Sequence, residues 1–131
     1  MKRKLHRFAA ISAMVILPLA YAAGSELYYA RSISPSGLTN VQDYFNRFGE
    51  PSRIGEVSRN GRTYYEFNGH LPPIYLFAHP SSPPAYVFDD KGKFVTWCKD
   101  PGDDALYHET WQRNGEYQID IGSLKKRFAI R

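Results

Sequence analysis

The distribution of apolar and polar positions divides the chain near residue 23. Residues 8 to 23 are apolar except for Ser12 and Pro18. The segment before this run carries four bases and no acid: Lys2, Arg3, Lys4 and Arg7. Residues 24–36 are polar and serine-rich, with one proline, which predicts a linker. The pattern therefore predicts a targeting or membrane segment, 1–23, then a linker and a folded domain.

The first segment has the parts of a bacterial-type export signal: a basic start, a short apolar middle and small residues at its end. Ala20-Tyr21-Ala22 fits the small-x-small cleavage rule, and cleavage there leaves Ala23 or Gly24 as the new amino terminus. The alternative is an uncleaved inner-membrane anchor that crosses the membrane through residues 8–23. Those 16 residues are slightly fewer than the number that spans a bilayer, about 20. Both alternatives place the domain outside the cytoplasm, either periplasmic or held at the inner membrane.

A short helix is predicted after the linker. Its apolar stripe recurs at i, i+3, i+4 and i+7 and consists of Val41, Tyr44, Phe45 and Phe48. Thr39 is the predicted N-cap, and Gln42 reaches back to it in a capping box. Gly49 takes the left-handed conformation that ends a helix, and Pro51 prevents its continuation.

Strand patterns fill most of the remaining chain. Asn60-Gly61 tolerate the positive φ angles of a two-residue turn, which predicts a β-hairpin over residues 52–67. Gly92 marks a second hairpin between strands at 85–88 and 94–98. Residues 74–78 are nearly all apolar and predict a strand with two covered faces.

The carboxy-terminal part is less regular. Residues 105–112 are compatible with one helical turn or with an extended arm. Tyr117, Ile119 and Ile121 alternate with polar residues, which predicts a last half-buried strand. The basic end is expected to be solvated and frayed, with contact to anionic lipid as the alternative. The predicted fold class is α+β, with a short helix packed on a small antiparallel β-sheet in a domain at 37–122 and a basic tail at 123–131.

Charge and cysteine content narrow the classes of function. The chain carries 17 basic and 13 acidic residues, but four of the bases lie in the first segment, so 13 bases balance 13 acids in the remainder. A neutral domain argues against a nucleic-acid partner, which requires a basic face for phosphate contacts. The only cysteine is Cys98, which excludes an internal disulfide. No cysteine ends the apolar run, which excludes a lipoprotein-type acyl anchor.

Candidate catalytic and metal-binding residues are sparse. His70, His79 and His108 are singly placed, without the spacing of paired zinc ligands. The acidic stretch at 100–104 lacks the ligand alternation and distal glutamate of an EF-hand, which favours a solvated turn. No Gly-x-Ser-x-Gly elbow is present. We therefore expect no enzyme, no cofactor and no metal. A small hydrolase, the minor alternative, requires one of these histidines beside an acid and a nucleophile in one cleft.

Aromatic side chains are the most informative candidates. The chain has 10 tyrosines, 8 phenylalanines and 2 tryptophans, and most are expected to fill a core that is poor in leucine and isoleucine. Adjacent strand residues point to opposite faces, so one of Tyr64 and Tyr65 must face away from the helix. Exposed aromatic surface marks partner sites. Tyr64, Tyr86 and Trp97 are the predicted anchors for a partner on the helix-free sheet face or an edge strand.

Several of these motifs occur together in a known family. Gly37-Leu38-Thr39, Val41, Phe48-Gly49-Glu50-Pro51 and Tyr64-Tyr65 resemble the SmpA/OmlA, or BamE-like, pattern of a capped helix followed by an aromatic strand. The later stretch 86–95 looks like that family's closing hairpin, and the resemblance covers roughly residues 35–98. The family's outer-membrane members carry an acylated cysteine that this chain lacks. The architecture also resembles β-lactamase-inhibitor-like modules.

The resemblance implies a non-enzymatic cell-envelope protein that docks to other envelope proteins as a scaffold or assembly factor. The alternative, suggested by the second resemblance, is a secreted protein inhibitor of an extracytoplasmic enzyme. The identity of the partner is not implied by either resemblance.

Overall fold

The computed structural model describes residues 2–70, 83–101 and 117–131. These residues belong to two units, an N-terminal helix and a small α+β domain that begins at Pro35. The predicted strand at 74–78 and the undecided segment at 105–112 lie outside the described residues.

The first helix, α1, spans Lys2–Ile33 and contains Pro18. The predicted linker at 24–36 is therefore wrong over its first ten residues. Once a helix is nucleated, each added residue gains one backbone hydrogen bond, so Gly24 and Ser25 lower the stability of the helix without ending it. The helix ends at Ile33, shortly before Pro35, which disfavours helical geometry in the residue that precedes it.

The second helix, α2, spans Val41–Phe48, and its cap lies one residue later than predicted. Asn40 is the N-cap, and its Oδ1 accepts a hydrogen bond from the Asp43 N–H at 3.0 Å. Asp43 completes the capping box in place of the predicted Gln42, because its Oδ2 accepts from the Asn40 N–H at 3.2 Å. The predicted cap, Thr39, instead donates both its N–H and its hydroxyl to the same Asp43 oxygen, at 2.9 and 2.5 Å.

The end of α2 follows the prediction. The Gly49 N–H donates to the Phe45 carbonyl at 3.0 Å, and Gly49 has φ 75° and ψ −153°. This combination is open essentially only to glycine. The glycine is therefore required by backbone geometry at the point where the chain turns toward the first strand.

The sheet confirms the predicted hairpins. Its strands are β1 (Arg53–Arg59), β2 (Arg62–Asn68), β3 (Ala85–Asp89), β4 (Phe94–Cys98) and β5 (Tyr117–Gln118). All neighbours pair antiparallel in the order β4-β3-β2-β1-β5, so a four-stranded sheet carries a two-residue fifth strand at one edge. Asn60 and Gly61 have φ 50° and 72°, as a two-residue hairpin turn requires. The α+β architecture with a short helix on an antiparallel sheet is thus confirmed.

The main core lies between α2 and one face of the sheet. The Tyr44 ring of α2 meets the rings of Phe67, Tyr86 and Phe88 at centroid distances of 5.0, 5.2 and 6.0 Å, all edge-on. Phe67 and Phe88 meet each other at 4.8 Å. All four side chains are buried. Such ring pairs contribute about 0.5–1.5 kcal/mol each beyond their buried area.

The carboxy-terminal part differs from the sequence-based expectation. Tyr117 and Gln118 form β5, but Ile121 begins a helix, α3 (Ile121–Arg127), capped by Asp120. The predicted strand is therefore confirmed only at its start. The Asp120 side chain accepts from the Ser123 N–H at 3.0 Å, and this local cap ends the alternating pattern.

The basic tail at 123–131 is part of the domain and is not a frayed end. Leu124 is buried in the main core, and Phe128 and Ile130 pack against that core. Lys125 Nζ pairs with Glu50 Oε1 at 2.5 Å. Tail residues thus belong to the folded unit beyond the predicted boundary at 122, because Leu124, Phe128 and Ile130 fill the end of the core.

Gly92 in the β3–β4 turn provides a test of the packed tail. Its φ is 78°, and a Cβ placed there would lie 2.9 Å from a ring carbon of Phe128. Gly61 has a similar φ of 72°, with nothing within 4 Å of the same position. We expect Gly61→Ala to lower the free energy of unfolding by about 1–2 kcal/mol through backbone strain alone. Gly92→Ala should lose about 1–3 kcal/mol more, because Phe128 must also move.

Chemical denaturation of both variants measures the difference. Equal losses of unfolding free energy in the two glycine variants would mean that Phe128 does not pack on this turn. The tail would then be frayed, as the sequence predicts.

The α2 cap provides a test by pH. The Thr39 hydroxyl, followed by the Thr39 N–H, lowers the pKa of Asp43 below its usual 3.8. A carboxyl whose pKa is lower in the folded state stabilises the fold above its unfolded pKa, and this stabilisation is lost as the pH falls through the folded pKa. We expect Asp43→Asn to melt below the parent protein at pH 7, and this deficit to shrink as the pH falls below 3.8, the usual pKa of the carboxyl. The conservative Thr39→Ser, which keeps the hydroxyl, is the control. A deficit that persists unchanged at pH 2 would contradict this role.

Candidate protein-binding surface

Two of the three predicted anchors lie on the helix-covered face of the sheet. Tyr86 is 1% exposed and contacts Tyr44, and Trp97 is half-buried and stacks on Tyr86 with centroids 6.1 Å apart. The register explains their orientation, because Tyr86 pairs with Phe67 on one side and with Trp97 on the other. Directly paired residues share a face, so both rings lie on the helix-covered face. The predicted anchor Tyr86 is therefore wrong, because its ring is buried, whereas Trp97 lies on the edge strand β4 and stays a prediction.

Tyr64 is the predicted anchor that lies on the helix-free face. Its neighbour Tyr65 is buried in the main core, on the helix-covered face. The expectation that these adjacent rings point to opposite faces is therefore confirmed. Tyr64 is half-buried and packs against a second cluster formed by Val57, Ala85, Val87 and Cys98.

The middle of the helix-free face is closed. The four members of the second cluster are buried. Glu66, on the same face between Tyr64 and Asn68, is only 2% exposed, and its Oε1 accepts from the Asn68 Nδ2 at 3.3 Å. These residues of the helix-free face are therefore buried and offer no exposed surface to a partner.

One end of the same face is open and concave. A groove of about 480 Å³ lies at the tips of the two hairpins; we call it the hairpin-tip groove. The described residues that line it are Arg62, Thr63, Tyr64, Asp89, Asp90, Lys91 and Val95. Its volume falls within the range of protein binding pockets, about 300–1,000 Å³.

The sheet register brings the lining of the hairpin-tip groove together. Tyr64 pairs with Asp89 across β2 and β3, so the Asn60-Gly61 turn and the β3–β4 turn lie at the same end of the sheet. Asp89 Oδ1 accepts from the backbone N–H groups of Lys91 and Lys93 at 3.0 and 2.8 Å, which fixes its carboxylate within the turn. The groove thus has an aromatic wall and a rim that carries both signs of charge.

Val95 supplies the apolar part of this rim. It is 44% exposed and is the one large apolar side chain of the described α+β domain that is exposed. The β3–β4 register shifts between Val87 and Phe88, so that Val95 is the extra residue of a β-bulge. Bulges bend an edge strand and re-aim its side chains, which accounts for the exposure.

The bulged edge strand is less suited to adding a partner's strand. Its first residue is already occupied, because the Phe94 N–H donates to the Thr39 carbonyl at 2.9 Å and Asn40 bridges to Lys93. Bulges and covered ends are the devices by which proteins protect sheet edges. The sequence predicts docking either on the helix-free face or along an edge strand. The geometry favours the first of these, through side-chain contacts at the hairpin-tip groove.

Of the three candidate histidines, the structure describes His70. His70 is exposed, and its Nε2 lies 2.8 Å from the Glu50 carbonyl oxygen. His79 and His108 lie outside the described residues. Within residues 2–70, 83–101 and 117–131, no group of three or more His, Cys, Asp or Glu side chains is placed to hold a metal ion.

A smaller hollow of about 250 Å³ lies on the helix-covered side, between β1 and α3, and includes Tyr65, Glu56 and Arg127. Burial raises the pKa of the Tyr65 hydroxyl, and the positive charge of Arg127 opposes this shift. Arg127 lies over the Tyr65 ring at 5.3 Å from its centroid. These contacts attach α3 to the sheet, which is a structural role.

Comparison with protein-family models, with curated proteins and with solved structures finds no match. The resemblance to the BamE-like family therefore stays a prediction.

Tyr86 and Val95 should respond differently to truncation. Tyr86→Ala removes a fully buried ring from the main core, and we expect it to lower the free energy of unfolding by about 3–5 kcal/mol. Val95→Ala removes an exposed side chain at the groove rim and should change stability by no more than about 0.5 kcal/mol. Urea denaturation measures both values. A Tyr86 variant as stable as Val95→Ala would place that ring outside the core.

Proposed function

We propose that this chain is a non-enzymatic cell-envelope protein whose α+β domain lies outside the cytoplasm and binds another envelope protein through the hairpin-tip groove. The proposal joins two features: an apolar helix that directs the chain to the membrane, and a small domain with an open groove at its hairpin tips.

The exposed apolar surface of α1 carries the proposal. Residues 11–33 are long and apolar enough to cross a membrane, a property shared by anchors and export signals. Six large apolar side chains between residues 11 and 19 are 56–76% exposed: Ile11, Met14, Val15, Ile16, Leu17 and Leu19. Soluble proteins rarely expose so continuous an apolar surface, and a lipid or translocation environment is what it fits.

Charge distribution sets the orientation of this helix. Four bases and no acid precede the apolar run. Bases are retained on the cytoplasmic side, so the chain after α1 is directed outward. The equal numbers of bases and acids in the remaining chain are consistent with a protein partner and argue against a nucleic-acid partner.

The hairpin-tip groove is the surface of the domain best fitted to a protein partner. It combines the half-buried ring of Tyr64, the exposed apolar Val95 and charged side chains of both signs on the rim. Interfaces use this arrangement, with aromatic and apolar groups at the centre and charges around them. Mixed charges select a partner by register and sign more than they add affinity.

Crosslinking in the intact envelope tests this assignment. A photoreactive amino acid at Val95 should yield one discrete protein adduct, and the same group at Asn46, an exposed position on α2, should not. Arg62→Glu and Lys91→Glu reverse the charge of two groove-lining side chains, and we expect them to lower the Val95 adduct yield at least several-fold without lowering the melting temperature.

Equal adduct yields at Val95 and Asn46, or yields unaffected by both charge reversals, would refute the proposal that the hairpin-tip groove binds the partner. If the adduct contains an extracytoplasmic enzyme that the purified domain inhibits, the secreted-inhibitor alternative replaces the scaffold.

A further inference from the structure

We infer that α1 is a removable leader, cut by a membrane-bound endopeptidase of the export pathway between Ala22 and Ala23. The mature protein then begins with the last third of α1. This inference rests on the proposed function only in placing the domain outside the cytoplasm.

Burial divides α1 into two parts. From residue 11 to residue 28 no side chain is buried, whereas Tyr29 and Ile33 are 0% and 5% exposed. These two residues lie four positions apart and so share one face of the helix. Removal of residues through 22 therefore takes no described side chain from a core, while the two packed positions stay with the mature chain.

The length of the apolar run and the burial of Tyr29 and Ile33 argue against α1 as a permanent anchor. Apolar residues 8–23 form a helix about 24 Å long at 1.5 Å per residue, less than the hydrocarbon thickness of about 30 Å. Extending the span to Ile33 adds Glu26 and Arg31. It also assigns to lipid two side chains that the protein buries, Tyr29 and Ile33. An apolar run of this length with a basic start matches a cleaved signal better than a spanning helix.

The helix is weakest around the proposed bond. Pro18 lies inside α1, where it removes one backbone hydrogen bond, and costs about 3 kcal/mol relative to alanine. Gly24 costs about 1 kcal/mol more, and nothing lies within 4 Å of the position that a Cβ would occupy there. Proteases bind their substrates as extended chains. The segment between Pro18 and Gly24 can be extended at a lower free-energy cost than the rest of α1.

Small residues select the bond. Ala20 and Ala22 occupy the third and first positions before it, with the larger Tyr21, 41% exposed, between them. Hydrolysis consumes one water: the Ala22–Ala23 amide breaks, the water oxygen becomes the second carboxylate oxygen of Ala22, and both water hydrogens pass to the Ala23 nitrogen, which becomes an ammonium group.

Intact-mass analysis of the full chain expressed with its native amino terminus, after cell fractionation, tests this inference. We expect a product that consists of residues 23–131 in the envelope fraction. Ala22→Phe places a large side chain directly before the bond and should abolish that product. Ala23→Phe, directly after the bond, is the matched control and should be cut at the same bond as the parent chain.

The outcomes separate this inference from the proposed function. A full-length chain in the envelope fraction would contradict the inference that α1 is removed. The proposed function would still hold, with α1 as an anchor. A product cut at another bond, or an Ala22→Phe chain cut between residues 22 and 23, overturns the assigned site. A full-length chain in the cytoplasm overturns both.

Discussion

The contact between the Tyr44 ring and the sheet is the interaction on which the domain depends. A helix of eight residues is too short to be stable alone, so α2 exists because its apolar stripe is buried. Tyr44 contacts Phe67, Tyr86 and Phe88, one ring on β2 and two on β3, and so joins the two hairpins beneath one helix. Burial raises the pKa of its hydroxyl well above the usual range, which is the electrostatic consequence of its central position.

The location of this core determines what the domain can present to a partner. Tyr86 and Trp97 are committed to the helix-covered face, and the second cluster closes the middle of the opposite face. The carboxy-terminal segment covers the end of the main core, where Phe128 meets the Tyr65 ring at 5.4 Å. The hairpin-tip groove is an accessible concave surface of the described domain, at the end of the sheet where two turns meet and a bulge bends the edge strand.

The fold could be predicted from the sequence where local chemistry decides the structure. Asn60-Gly61 and Gly92 require positive φ, and the four-residue stripe of α2 has a single helical reading. The cap was displaced by one residue because Thr39, Asn40 and Asp43 are all capping residue types, and their competition is resolved by side-chain geometry. The alternation of Tyr117, Ile119 and Ile121 predicts a strand that includes Ile121. In the structure Ile121 begins a helix instead, and its cap, Asp120, is a residue type that also occurs in turns.

The binding surface could not be predicted to the same extent because it depends on long-range packing. Tyr86, Val87 and Phe88 are all apolar, so their alternation does not reveal which set faces the helix; the β2–β3 register decides it. The sequence pattern does not predict the β-bulge in which Val95 is the extra residue, although this bulge exposes the Val95 side chain at the groove. Burial of Tyr29 and Ile33 cannot be predicted from the sequence, because the serine-rich stretch around them is typical of a linker.

A double-mutant cycle on Tyr44 and Phe67 tests the central claim most directly. Leucine at each position, separately and together, keeps apolar volume while removing the edge-on ring pair at 5.0 Å. The free energies of unfolding should show a coupling of about 0.5–1.5 kcal/mol between the two substitutions. Losses that are simply additive would contradict the account, because they would mean that α2 and β2 are stabilised independently.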